Sequence, residues 1–422
     1  MPTYLTPGVY VEEVPSSSKP IEGVGTAIAA FVGLAPGGPV NRPIRIESWT
    51  QFERIYSDPQ RRDDGPFVPR AYLAHAVRGF FENGGRVCWI VRVGDHGETA
   101  RPESSLQAEN EPSGSERVVV LREGIASLAA VDEITMMSVP DVMTLAGGED
   151  SLLRDLGHAL VGDRVADRAR MVILDPPRDV QPGEMVEWRT KVAGYDSASV
   201  ALYYPWIEVI DPLSERPIAV PPSGHVAGVW ARTASTGGIQ RAPTEAALLG
   251  ASGLAVELSA DQQGVLADAG VNSIRSFPGS GIRVWGARTL SSDPEWRYVS
   301  VRRLVTYVSE SIRKGTRWAV FEANDEQLWT QLRSSISNFL TRTWCEGVLF
   351  GASPEQAFYV KCDAETNARE GIEAGQVVME IGIAPIKPED ALEAEVKPAQ
   401  FVVFCISQTT AAASEVDAQA RT

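Results

Sequence analysis

The sequence predicts a mixed α/β fold with a largely parallel sheet, and three observations predict it. From about residue 117, short apolar runs alternate with amphipathic stretches, the pattern of strand–helix–strand units. Upstream, TAIAAFVG (26–33) is a continuous apolar run, as a strand buried on both faces requires. The last third changes character. Two long amphipathic stretches precede three strand-like ones, an α+β arrangement.

The elements follow in order. Gly8–Val14 (GVYVEEV) lies between Pro7 and Pro15 and reads as one short strand, with Val9 and Val11 on one face and Tyr10, Glu12 and Val14 on the other. A Ser-rich tether, PSSSKP, follows, so residues 1–20 read as an arm. In the compact stretch 21–93, SWTQFERIY (48–56) offers Ser48 as a helix cap, with Trp49, Phe52, Ile55 and Tyr56 on one face. AYLAHAVRGFFENGG (71–85) is a second helix stopped near Gly84, and RVCWIVRV (86–93) is a strand. Residues 94–116 are polar and rich in Gly, Pro and Ser, and read as a surface loop. RVVVL (117–121) and EITMMSVPDV (133–142) read as strands and 149–169 as a helix. RMVILDPP (170–177) is a strand, 182–194 a short helix, ALYYPWIEVID (201–211) a strand and HVAGVWARTAS (225–235) a helix. Val301, Leu304, Val305, Val308 and Ile312 then recur at helical spacing, RWAVFE (317–322) reads as a strand, and a capped helix over 324–344 presents Leu328, Leu332, Ile336, Phe339 and Leu340. AFYVKCD (357–363), QVVMEIGIAPI (376–386) and FVVFCISQ (401–408) are strands, and 412–422 is a polar tail.

Composition excludes several functions. The net charge is −16, against the clustered Lys and Arg that a nucleic-acid surface or an anionic membrane surface needs. No apolar run approaches the roughly 18–20 residues of a membrane span, and the N-terminus lacks the basic and apolar regions of a secretory signal. Cys88, Cys345, Cys362 and Cys405 form no CxxC pair and read as reduced thiols of a protein made in the cytoplasm. Of His75, His96, His158 and His225, no two stand at ligand spacing on one helix, so no metal site is read. PGSGIRVWG (278–286) has no Lys-Ser/Thr after its glycines, and neither GASG nor PPSG completes a nucleophile elbow. The sequence therefore gives no catalytic, cofactor-binding or metal-binding residue.

What remains is the two ends. A strand on a tether has N–H and C=O groups to satisfy. It can fold back onto its own sheet or be given to a neighbour, and the residues alone leave both open.

The chain resembles the contractile tail sheath proteins of phages and of related pyocins and extracellular injection particles. The resemblance is carried by a collinear set: TPGVYVEEV (6–14), IEGVGTAIAAFVG (21–33), FFENGGRVCWIVRV (80–93), ALYYPWIEV (201–209), PPSGHVAGVWART (221–233), GVNSIRSFPGSGIRVWGARTL (270–290), EWRYVSVRRL (295–304), WAVFEANDEQLW (318–329), FLTRTWCEGVLFGASPEQAFYVKCD (339–363) and GQVVMEIGIAPIKP (375–388). It implies a structural protein, not an enzyme and without cofactor. The implied organisation is an N-terminal arm (1–20), the first part of the core (21–93), the loop (94–116), a subtilisin-like but non-catalytic α/β domain (117–285), a C-terminal α+β sheath domain (286–398) and a C-terminal arm and tail (399–422).

The implied function is a sheath subunit that polymerises as stacked rings or a helix around an inner tube and contracts to drive the tube through a target envelope. Its implied partners are further copies of itself, the tube protein, and baseplate and cap proteins, with no nucleic acid and no membrane insertion. It would be made in the bacterial cytoplasm and belong to a phage tail or a tail-like particle. Terminal strands are handed between copies. Here these are Gly8, Val9, Tyr10, Val11, Glu12, Glu13 and Val14 at one end, and Phe401, Val402, Val403, Phe404, Cys405, Ile406 and Ser407 at the other. The receiving strands carry Phe358, Tyr359, Val360, Val377, Val378, Met379, Glu380 and Ile381. The family passes directly from its IGIAPIKP-like strand to the last one. Here EDALEAEV (389–396) intervenes and adds up to about 27 Å of span.

Charge adds a further expectation. Residues 297–342 hold eight bases against four acids, and 354–422 hold twelve acids against five bases. These are either solvated faces or a basic face toward an acidic tube, with Arg302, Arg303, Arg313, Lys314, Arg333 and Arg342 as candidates. Two alternatives stand beside it: another tail or baseplate structural component, and a hydrolase on a subtilisin-like fold, which would need Asp, His and Ser to converge in a pocket.

Overall fold

The computed structural model describes residues 19–58, 65–94, 114–142, 170–387 and 400–407. They form two units. The larger holds 23–310 and 385–396, and the smaller holds 1–22, 311–384 and 397–422.

The larger unit is built on a nine-stranded sheet. Its strands are β1 (Ala29–Gly33), β2 (Ile44–Ile46), β3 (Cys88–Arg92), β4 (Met136–Ser138), β5 (Met171–Leu174), β6 (Val200–Tyr204), β9 (Ala246–Ala247), β11 (Val271–Phe277) and β12 (Gly281–Val284), in the order β2-β3-β1-β4-β5-β6-β11-β12-β9. The run from β3 to β11 is parallel, and β2, β12 and β9 are antiparallel additions at the margins. A hairpin of β7 (Ile207–Ile210) and β8 (Pro217–Val220) pairs with β10 (Gly253–Leu254) in a second sheet.

The continuous apolar runs are explained by burial on both faces. In β1, Ala29 and Phe31 enter one core and Ala30 and Val32 the other. The first core is closed by α1 (Trp49–Tyr56), α2 (Leu73–Glu82) and α5 (Ser223–Gly237). The second is closed by α3 (Gly114–Ser127), α4 (Pro182–Glu187) and α6 (Ala260–Asp268). Ser48 caps α1 as the sequence suggests, its Oγ accepting from Gln51 N at 3.2 Å. The helices α2 and α5 approach closely because Gly224 has no side chain: a Cβ there would lie 2.3 Å from Ala76 Cα.

Three sequence readings are corrected. RVVVL is part of α3, not a strand: Leu121, Ile125 and Leu128 continue its apolar pattern at helical spacing onto the sheet, while Val119 is 53% exposed. ALYYPWIEVID is two strands, β6 and β7, because Pro205 ends the first. RWAVFE is a 3-10 turn at Arg317–Phe321, with Ala319 buried and Phe321 90% exposed. The helix read over 149–169 and most of the loop read over 94–116 lie outside the described residues. In space, β1 lies between β3 and β4, so residues 21–93 and 117–285 contribute to one sheet.

The helix α7 (Val299–Gly315) crosses the division between units after Glu310. The smaller unit adds α8 (Glu326–Cys345), capped by Asp325, whose Oδ1 accepts from Leu328 N at 2.9 Å. The five apolar residues read on α7 and the five read on α8 are all buried.

Candidate subunit interface

The smaller unit carries a three-stranded antiparallel sheet of β13 (Phe358–Lys361), β14 (Gln376–Ile383) and β15 (Gln400–Ser407), with β14 in the middle. β14 alternates. Val377, Met379, Ile381 and Ile383 are buried, and Gln376, Val378 and Glu380 are half-buried. β13 is paired from Phe358↔Ile383 to Lys361↔Glu380, and Tyr359 Oη donates to Glu380 at 2.7 Å. β15 runs along β14 for eight pairs, from Gln376↔Ser407 to Ile383↔Gln400. All eight residues read as receiving therefore lie on β13 and β14. The seven read as the C-terminal arm lie on β15, which pairs here with the β14 of its own chain. The N-terminal arm, Gly8–Val14, lies outside the described residues.

At Lys19 the chain is held firmly in the smaller unit. Lys19 N donates to Ser335 Oγ at 3.1 Å, and its Nζ reaches Glu322 at 3.3 Å and lies 4.0 Å above the Trp318 ring. Ile21 is fully buried against Gly315, where a Cβ would come within 2.7 Å of it. Arg342 Nη2 donates to Ile21 O at 2.6 Å. Sequence reading placed Lys19 in a loose tether, and it gave no sign of this clamp. The partners lie some 300 residues away.

The six candidate tube-facing bases do not form one set. Arg303 is withdrawn from it. It is 5% exposed in the larger unit, donates from Nη2 to Thr26 O at 2.9 Å and lies 5.2 Å from the Trp230 ring, so it has no surface to present. Burial pulls its pKa down to about 10. Arg302, also in the larger unit, is half-buried over Trp296. Arg313, Lys314, Arg333 and Arg342 belong to the smaller unit. Arg313 and Arg342 are exposed, and Arg333 donates from Nη1 to Cys362 O at 2.8 Å.

The larger unit has buried polar groups at the carboxyl ends of its parallel strands. Asp141 accepts from Leu34 N at 2.7 Å and from Tyr72 N, and Asp175 accepts from Ser223 N at 3.0 Å. Ser138 Oγ donates to Ser223 Oγ at 2.7 Å, and both serines are fully enclosed. Burial raises Asp141 to about 6 and Asp175 to about 7. It lowers His75 to about 4, against the pull of Asp211 at 4.0 Å, and His225 to about 3. His75 and Asp211 line a cavity of about 660 Å³ with Arg70, Tyr72 and Arg178. Ser223 is not among its lining residues, so the parts of a triad do not meet in that cavity. His96 and His158 lie outside the described residues, among which no group of three or more His, Cys, Asp or Glu could hold a metal.

Two family profiles match adjacent stretches: "Phage tail sheath protein central domain" over residues 124–290 and "Phage tail sheath C-terminal domain" over 291–397. The chain belongs to the phage tail sheath family. The family is a structural one and not a family of enzymes. The tail sheath protein of Salmonella phage ViI is 25% identical over 239 residues, 54% of this chain and 37% of that one. A putative prophage major tail sheath protein of Pseudomonas aeruginosa is 24% identical over 280 residues, 63% of this chain and 69% of that one. The chain thus spans little more than a third of the phage ViI protein's length. Among solved structures, the anti-feeding prophage helical sheath in its contracted state matches with a TM-score of 0.70 at 26% identity, covering 96% of this chain and 100% of that chain. The sheath complex of the extracellular contractile injection system PVC, also contracted, matches with a TM-score of 0.66 at 26% identity, covering 92% and 96%.

Proposed function

We propose that this chain is a subunit of a contractile sheath, polymerising as rings or a helix around an inner tube and shortening to drive the tube through a target envelope. The observation that carries this reading is the match to the contracted anti-feeding prophage sheath, which spans 96% of this chain and all of that one. That protein is described as a helical sheath, and a second match comes from a baseplate, which supports further copies of the chain and a baseplate as partners. The tube and a terminal cap complete the set. The particle is a phage tail or a tail-like injection system assembled from protein made in the bacterial cytoplasm. No helix among the described residues is long and apolar enough to cross a membrane.

In this reading the copies are joined by strands. Residues 400–407 leave their own β14 for the β14 of a neighbour, and Gly8–Val14 joins a neighbour's sheet in the same way. Each main-chain hydrogen bond contributes about 1 kcal/mol net, so an eight-residue ladder holds two copies together while their bodies move. In this reading the larger unit is the α/β body and the smaller unit the strand-exchanging part. Arg313, Lys314, Arg333 and Arg342 are the bases offered to an acidic tube, through polar contacts that can be broken on contraction. Electron microscopy of the purified full-length chain, alone and with its tube protein, tests the reading. Hollow, axially periodic cylinders are expected. Monodisperse single chains at every concentration, with the tube protein present, would overturn it.

A further inference from the structure

The carboxyl ends of the parallel strands hold polar groups with no part in the strand exchange proposed above. The order of the large sheet reverses between β1 and β4: the chain runs from β1 to β3 on one side, then returns to place β4 on the other. Such a switch point opens a crevice beyond the strand ends. Asp141, just past β4, ties its rims together by accepting from Leu34 N, after β1, and from Tyr72 N. The cavity of about 660 Å³ lies beside this junction, among residues 68–75, the turn 178–181 and the β7–β8 hairpin.

The polar groups of this cavity separate into two ends. At one end are Tyr72 and Arg178. Burial raises the Tyr72 hydroxyl, and the nearby Arg178 and Arg70 guanidiniums pull against it, so the three groups share one field. The Tyr72 ring is fixed edge-on to Trp206, centroids 5.2 Å apart, and Trp206 Nε1 donates to Pro176 O at 2.8 Å. The Tyr72 hydroxyl and the Arg178 guanidinium have no hydrogen-bond partner among the described residues. Arg70 has a left-handed backbone, φ 64°, and non-glycine residues held in that conformation cluster at binding sites. At the other end are two acids. Asp211 is already satisfied, accepting from Leu213 N at 3.2 Å, Ser214 N at 3.1 Å and Ser214 Oγ at 2.7 Å. Glu208 is half-buried, and its carboxylate has no hydrogen-bond partner among the described residues. It lies over Gly253, its opposite number on β10, where a Cβ would come within 2.4 Å of Oε2, so only a glycine leaves the carboxylate room. Beside Asp211, His75 is 6% exposed, with Nε2 4.0 Å from that carboxylate. Burial lowers its pKa to about 4 and keeps it neutral, so it offers one donor and one acceptor. Val68, Ile218, Ala219 and Val256 supply apolar wall.

Among the described residues, then, a cation and an acid without hydrogen-bond partners line one cavity, together with a buried neutral imidazole. A simple anion would meet Glu208 and Asp211, and a simple cation would meet Arg70 and Arg178, so the fitting ligand carries both charges. We propose that this cavity binds a short peptide with free ends. Its carboxylate is held by Arg178 and the Tyr72 hydroxyl, its ammonium group by Glu208, and its apolar side chains lie against Ile218 and Ala219. A tripeptide spans up to about 10 Å and suits a cavity of this size. Bound there, it joins segments of the larger unit that are far apart in sequence, and so stabilises that unit.

Calorimetric titration of the soluble full-length chain tests this, with the tripeptide alanyl-leucyl-alanine as the probe. The readout is taken before any assembly, so it stands apart from the sheath reading. The free tripeptide should bind, and N-acetylation or C-terminal amidation should each weaken it about tenfold or more. Arg178→Gln should weaken the free peptide and make binding indifferent to amidation while the effect of acetylation remains. Glu208→Gln should do the reverse. A general loss of structure does not exchange the two sensitivities in this way. Arg178 is exposed and Glu208 half-buried, so both variants should keep the parent's unfolding midpoint. Tyr72→Phe keeps the ring against Trp206 and loses only the hydroxyl; it should weaken the free peptide and leave the effect of acetylation intact. No binding heat at about 10 mM peptide, equal binding of free and capped peptides, or cap effects unchanged in both charge variants overturns the proposal.

Discussion

The two sheets of this protein are held by different means. In the larger unit, β1, β4, β5 and β6 are buried along their whole length, pair in parallel, and send their apolar side chains alternately into two cores. A one-residue slip there would exchange the contents of both cores. In the smaller unit, β14 alternates over Gln376–Ile381, burying Val377, Met379 and Ile381, and it pairs antiparallel with β15 over eight residues. Its ladder is long, but nothing in it requires the added strand to come from the same chain. Under the proposed function, the difference assigns the lattice's flexibility to the amphipathic sheet, while the doubly buried sheet keeps its own unit rigid.

The sharpest way to break this comparison is to remove the exchangeable strand. Deleting residues 400–422, or residues 1–14 at the other end, should abolish sheath formation altogether and leave a folded, soluble chain. Sedimentation velocity and electron microscopy measure the first effect, and near-ultraviolet circular dichroism the second. Cylinders of parental length from either truncated chain would refute the connecting role of that end.

The opposite outcome is expected for a core change in the larger unit. Trp230 is fully buried, donates from Nε1 to Tyr203 Oη at 3.1 Å and lies 5.2 Å from the buried Arg303 guanidinium. Trp230→Ala should cost about 3–5 kcal/mol of stability, the range for a large aromatic in a packed core. It also removes the aromatic face beside a buried cation. The measure is the midpoint of denaturant unfolding of the single chain. A loss below 1 kcal/mol would mean that this core is less tightly packed than its burial indicates.

Much of this contrast was legible in the sequence, and the rest has a physical reason for being hidden. The continuous run TAIAAFVG and the helical spacing of Val301 to Ile312 each record burial directly, so β1 and α7 fall where the pattern puts them. RVVVL misled because four apolar residues in a row fit either period, and only Ile125 and Leu128 beyond them decide for a helix. β14 could be read because the alternation of Val377, Met379 and Ile381 marks it. The hydrogen bonds that Asn324 and Asn367 make to β14 could not, because they join Gln376 and Val378 across 52 and 11 residues, and a lone asparagine carries no periodic signal. Arg303 was misplaced for a related reason. Charge says nothing about depth, and a guanidinium that meets a carbonyl and an indole ring can be enclosed.

The smallest effect sharpens the comparison in terms of pH, because the buried acids and histidines that titrate in the mildly acidic range belong to the larger unit. Asp175 is raised to about 7 and Asp141 to about 6, both by burial. Between the ordinary carboxylate range and those values, the folded chain holds protons that the unfolded chain has lost, so both acids make stability fall as pH rises through that window. His225 and His75 are lowered by burial to about 3 and 4. Below the ordinary histidine value the unfolded chain takes up protons that the folded one refuses, so both make stability fall as pH falls. Each group contributes a slope of up to about 1.4 kcal/mol per pH unit, and the two kinds oppose each other between about pH 4 and 6. Asp175→Asn removes one side of that balance. The amide oxygen can still accept from Ser223 N, and the change falls on Oδ2, which has no hydrogen-bond partner among the described residues. Relative to the parent chain, the variant should gain on the order of 1–2 kcal/mol more at pH 8 than at pH 5. Tryptophan-detected denaturant unfolding at the two pH values reads that difference. An equal effect at both would mean that Asp175 is ionised in the fold at pH 5, and that its carboxylate is compensated by contacts other than Ser223.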